Sequence, residues 1–153
     1  MSTTTMTGAE LDLTQLHDVL ESLRRGNFSK RLPTDLSGRA GMIARTLNAT
    51  MEMLATFKAE HLRVADEIGT QGELGGQMEI FSATGGWQEL TDAMNRMAAN
   101  LTVELRRTSH VAAAAAQGNT TPRLTAQLIA GEVASMQKHV QALADRAAPA
   151  ARP

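Results

Sequence analysis

The chain has 153 residues, a net charge of −1 and no Cys. That length holds one ordinary domain, the near-neutral charge argues against a dedicated nucleic-acid surface, and the missing thiols exclude disulfides, thiolate metal sites and Cys nucleophiles together. Three Phe, one Trp and no Tyr are a thin supply for a globular core, while the abundant Ala, Leu and Met are good helix formers, so an all-α fold is expected.

Met1 to Thr5 lacks a basic flank followed by an apolar segment, and no stretch approaches the roughly 20 apolar residues that span a bilayer. A soluble, cytoplasmic chain is therefore expected, with the membrane attachment of any parent protein left open. Residues 1–10 read as an N-terminal tail. Leu13, Leu16, Leu20 and Leu23 then follow a 3, 4, 3 spacing, which places them along one stripe of a helix. Arg24 and Arg25 suit the negative end of that helix, and Gly26 suits a left-handed stop. The following stretch from Asn27 to Gly38 is too rich in turn residues for a helix and reads as an extended connector pinned by Phe28 and Leu32. A second helix is expected near Arg39, with Ala40, Ile43, Leu47, Thr50 and Leu54 in the 3, 4, 3, 4 spacing of a coiled-coil seam.

The same syntax returns twice. Gly26, Gly72 and Gly118 lie 46 residues apart; each is followed by an apolar or small pin (Phe28, Leu74, Thr120) and by a second one (Leu32, Met78, Leu124). The pairs Leu47-Asn48, Met94-Asn95 and Val140-Gln141 repeat at 47 and then 46 residues, the extra residue falling in a connector. Trp87, Leu90, Met94, Met97 and Leu101 form the second seam, and Val133, Met136, Val140 and Leu143 the third. Three units follow, 11–57, 58–103 and a divergent 104–147, with 148–153 as a C-terminal tail. No Gly or Pro interrupts Met42 to Ile68 or Trp87 to Gln117, so the second helix of one unit should run into the first helix of the next. Leu101 to Leu105 is a stutter in the seam. The third unit's first helix, Val111 to Ala116, is nearly all Ala and buries little, making that unit the least stable expected.

About 13 extended connector residues reach some 40 Å, more than the roughly 22 Å of a 15-residue helix, so the two helices of a unit can lie parallel. Two such helices with one seam each do not enclose a core. Pairing with a second chain into a four-helix bundle is the natural closure, and a homodimer is expected, with Leu16, Leu20, Leu23, Ile43, Leu47, Leu54 and the later seam residues as its core.

These features resemble the HAMP domain, a parallel four-helix dimeric signal relay, and are more similar still to the tandem HAMP arrays of hybrid histidine kinases. Arg24 to Pro33 resembles the opening unit of such arrays; Val64 to Gly69, Gly72 to Gly76, Gly85-Gly86-Trp87 and Met97 to Leu101 resemble the alternate unit. The chain departs from the pattern at Asn27, Glu73 and Asn119, where HAMP units commonly carry Asp, and at Arg39 and Gly86, where an acidic residue commonly opens the second helix; Glu132 keeps it. The resemblance implies a relay that transmits a conformational change to a histidine-kinase-type output module, with no catalytic, cofactor or metal site and no small-molecule substrate or nucleic-acid partner. The phosphoacceptor and ATP-binding domains of such kinases have no counterpart here, so a fragment, a truncated form or a detached array is expected.

His17-Asp18 lacks the proline of a kinase phosphoacceptor box and reads as surface. His61 lies near the junction seam, while His110 and His139 have no partner at metal-ligand spacing. Thr50, His61 and Thr108 read as imperfect seam positions that would keep two packings close in energy. A passive coiled-coil dimerisation scaffold is the alternative, though a plain rod has no need of repeated pinned connectors.

Overall fold

A computed structural model describes residues 11–80, 83–124 and 129–147; the two expected tails lie outside the described residues. Among those residues the chain is all-helical, with no strand. Four helices follow in order: α1 (Leu13–Arg24), α2 (Gly38–Asp66), α3 (Gly86–Ala116) and α4 (Glu132–Ala147), with a π-helical turn at Glu67–Gln71 continuing α2. The long helices are 29 and 31 residues, as the absence of Gly and Pro foretold. No helix among the described residues is long and apolar enough to cross a membrane.

Contacts divide the chain into two compact units, one formed by residues up to Arg63 with Glu79–Ala83, the other by Val64–Met78 with Thr84 onward. In the first unit, Asp12 caps α1 by accepting the Thr14 amide proton at 2.8 Å, satisfying a backbone donor that the first turn would leave unpaired. The C-terminal end is stopped by Gly26 at φ 72, and the Asn27 amide reaches back to the Ser22 carbonyl at 3.0 Å while Gly26 reaches Leu23 at 2.9 Å. This closing pair is a Schellman stop, which glycine makes without a Cβ clash. Glu21 binds Arg24 at 2.6 Å and Arg25 at 2.9 Å; the Arg24 hydrogen bond, then the Arg25 one, lowers its carboxyl from 4.5 to about 2. The core comprises Val19 of α1, Leu32 and Leu36 of the connector, and Ala44 and Met51 of α2, with Leu16, Leu23, Phe28 and Leu47 packed around it.

Within the second unit α3 packs against α4. Thr91, Ala98, Thr102, Thr108 and Val111 of α3 are buried, as are Ala134, Gln137 and Ala144 of α4. The third helix stop repeats the first: Asn119 bonds back to the Ala114 carbonyl at 2.9 Å and Gly118 to Ala115 at 3.0 Å. The second stop is one residue longer. Val19 and Val111 precede their glycines by seven residues and Val64 precedes Gly72 by eight, and all three valines are buried. The π-helical turn absorbs the extra residue, its Glu67 carbonyl accepting from both Gly72 and Glu73.

Candidate functional site: a repeated connector clasp

The landmark amides of the sequence repeat share one task. Asn48 Oδ1 accepts the Leu32 amide proton at 2.8 Å and its Nδ2 donates to the Leu32 carbonyl at 2.9 Å. Asn95 does the same to Met78, at 2.7 and 3.1 Å. A primary amide presents one acceptor and one donor side by side, which matches the N–H and C=O of one extended residue. Each connector strand is thereby fixed to its helix across 16 or 17 residues of sequence, and the side chain of the clasped residue is turned inward: Leu32 is 2% exposed and Met78 4%.

The third clasp is half open. Gln141 Oε1 accepts from the Leu124 amide at 2.9 Å, but its Nε2 turns to Asp145 at 3.0 Å. Asp145 is also bound by Arg123 of the same connector, so an ion pair stands where the second amide bond would be. Leu124 is only half-buried.

Two further buried positions recur with the clasp. Ala44, Thr91 and Gln137 are spaced 47 and 46 residues apart, as are Met51, Ala98 and Ala144, and all six are buried. They lie three or four residues to either side of the clasping amides, so each helix carries an inner stripe that faces its own unit. Asx turns add a second link at the helix stops: Asn27 Oδ1 accepts from the Ser29 amide and Asn119 Oδ1 from Thr121, both at 3.1 Å, an acceptor role that Asp shares.

The expected connector residues fall along this clasp. Gly26, Gly72 and Gly118 all have positive φ. Phe28 and Leu74 are half-buried, and Arg106 of α3 donates to the Leu74 carbonyl at 2.7 Å. Leu36 and Ile80, which hydropathy at single positions in a connector does not mark out, are also buried. In the first unit the Glu79 amide donates to Glu60 of α2 at 3.0 Å; the Arg63 hydrogen bond first, and this backbone bond second, hold the Glu60 carboxyl below its usual range.

The seam residues lie differently. Leu16, Leu23, Leu47, Leu54, Met94, Leu101, Val133 and Val140 are half-buried, while Leu20, Ile43, Trp87, Leu90, Met97, Met136 and Leu143 are exposed. Of the imperfect seam positions, Thr50 is half-buried and donates to the Thr46 carbonyl, and His61 is exposed and stacks on Phe57. Thr108 is buried and hydrogen-bonded to Glu104 and Gln137, so it is a polar partner in packing rather than a gap. His17, His110 and His139 are exposed, and among the described residues no three metal-ligating side chains group together. No family model matches the sequence, and no solved structure matches the chain.

Proposed function

We infer that the chain is a HAMP-type array, a parallel homodimeric four-helix bundle that relays a change in helix packing from an input to a histidine-kinase-type output and performs no chemistry of its own. The observation that carries this reading is a division of labour on each long helix. An inner stripe, with its amide clasp, is satisfied within the chain, while the neighbouring seam leaves Ile43, Leu90, Met97 and Leu143 in water, the last 63% exposed. Fully burying such a side chain stabilises by about 1.5–3 kcal/mol. A second copy presenting the same stripe supplies that burial symmetrically. The connectors, clasped to the outside of the helices, then convey a tilt or rotation of one helix to the next, and the graded clasps, closed in two copies and half open in the third, give the array a rigid and a yielding end.

The passive scaffold reading needs the seam but not the clasps. Two experiments separate the readings. Because the chain has no Cys, single substitutions Ile43→Cys, Met97→Cys and Leu143→Cys each form a disulfide with their own copy in a parallel dimer, and an antiparallel or monomeric chain does not form all three. In a receptor–kinase chimera carrying the array, Thr50→Leu extends the apolar seam and shifts resting kinase output; cross-linking without any change in output from Thr50→Leu leaves a scaffold.

A further inference from the structure

The end of α1 borders a cationic cleft that the fold does not require. The cleft, of about 520 Å³, is lined by Arg25, Asn27, Phe28 and Arg31 on one side and by Ala55 and Lys58 of α2 on the other, a size within the range of small-molecule sites. No carboxylate lines it among the described residues. Arg31 is held by neutral acceptors: its Nη1 donates to the Phe28 and Lys30 carbonyls, which fix the guanidinium without cancelling its charge. Lys58 is exposed and has no ion-pair partner among the described residues. Arg25 shares the single carboxylate of Glu21 with Arg24, so that trio keeps a net positive charge. Asn27 Oδ1 accepts from the Ser29 amide at 3.1 Å and from the Ser29 hydroxyl at 2.7 Å. Asp would make this turn equally well, but would place a negative charge in the cleft.

Comparison of the copies shows that the charge is not a structural need of the connector. Forty-six residues on, Arg25, Asn27 and Arg31 become Gln71, Glu73 and Gln77, and 47 residues on along the helix Lys58 becomes Leu105. Met78 is nevertheless clasped as Leu32 is. Three cations and a neutral amide in the first copy therefore stand where the second has one anion and no cation. The third copy keeps one of these cations, Arg123, and that one is bound to Asp145.

We propose that the cleft of the first unit binds the phosphate of a phosphorylated ligand. Arg25 and Arg31 supply N–H forks that match phosphate oxygens, Lys58 supplies a point charge, and Phe28 with Ala55 gives the body of the ligand an apolar wall. Opposition comes from α1, whose C-terminal dipole disfavours an anion; there the Ser22 and Leu23 carbonyls are already bonded to the Asn27 and Gly26 amides. The cleft lies wholly within the first unit, so the site stands whether or not the chain relays a signal.

The test is titration of the full nitrogen-15-labelled chain with inorganic pyrophosphate in about 0.15 M salt, read by NMR at the Ser29 amide and the Arg31 Nε–H. The expected result is saturation, with binding about 10- to 100-fold weaker in Asn27→Asp, which keeps the Ser29 turn, and in Arg31→Gln, which installs the residue type of the second copy. Arg39→Gln removes the same charge about 28 Å along α2 from Lys58, well beyond the screening length, and should leave binding unchanged. Vesicles of phosphatidylcholine with and without phosphatidic acid separate two sources of the phosphate. Co-sedimentation that needs phosphatidic acid and is lost in Asn27→Asp assigns it to a lipid headgroup, whereas pyrophosphate saturation without vesicle binding assigns it to a soluble ligand. Neither saturation nor vesicle binding, binding that Asn27→Asp leaves unchanged, or equal weakening in Arg39→Gln and Arg31→Gln would overturn the proposal.

Discussion

Replacing Asn48 by Ala removes both hydrogen bonds to Leu32, at 2.8 and 2.9 Å, and leaves a half-buried backbone N–H and C=O to find water. At about 0.5–1.5 kcal/mol net for each bond, the loss is about 1–3 kcal/mol. Asn95→Ala removes the matching pair on Met78 and should cost the same. Gln141→Ala removes only one bond to the connector, to the Leu124 amide, and should cost about half as much. The assay is amide hydrogen exchange at Leu32, Met78 and Leu124, one residue per clasp, with thermal unfolding by circular dichroism alongside. Exchange should quicken about 5- to 150-fold at Leu32 in Asn48→Ala and at Met78 in Asn95→Ala, for a local loss of that size. Equal effects at all three copies, or unchanged exchange at Leu32 in Asn48→Ala, would refute the clasp as the element that holds the connectors.

Gly41→Ala puts a Cβ into the backbone carbonyl of Leu36, so the usual helix gain of about 1 kcal/mol from Gly to Ala is outweighed by overpacking of about 1–3 kcal/mol; a lower melting temperature of the first unit checks this. Thr108→Leu, which would fill a gap if Thr108 were a seam defect, instead removes an acceptor from Gln137 Nε2 and a donor from Glu104, and should destabilise the second unit by about 1–3 kcal/mol, read through Trp87. Glu21, held at about 2 by Arg24 and Arg25, has a depressed folded value, so its contribution is present above pH 4.5 and lost as pH falls through about 2. Acid titration of α1 helicity in the natural chain and in Glu21→Gln should therefore differ above that window and converge below it, with a small amplitude because the ion pair is at the surface and screened by salt.

The helices were legible because their signals are local: the Leu stripe of α1, the Arg24-Arg25-Gly26 stop, and long stretches free of Gly and Pro. The landmark pairs Leu47-Asn48 and Met94-Asn95 were visible as a pattern, yet the role of the amides depends on closing 16 or 17 residues of chain onto one backbone position, which spacing does not reveal. The inner stripe was missed because hydropathy favours large apolar residues, and the stripe is built from Ala44, Thr91, Ala98 and Ala144 as well as Met51. Only their shared period of 47 and 46 residues could have exposed them. Glu104 and Gln137 defeat sequence reading for the opposite reason, since polar residues are assigned to the surface unless paired, and their pairing joins two helices through residues 33 positions apart in sequence. The π-helical turn was likewise hidden in one additional residue between Val64 and Gly72.

The proposed relay requires the exposed seam to be the face of a dimer. Sedimentation equilibrium of the purified chain over a dilution series, with helical content followed in the same samples, tests it most directly. A dimer that loses helix as it dissociates is expected, because Ile43, Leu90, Met97 and Leu143 would then be covered only by a second copy. A monomer that stays fully helical at every concentration would contradict it.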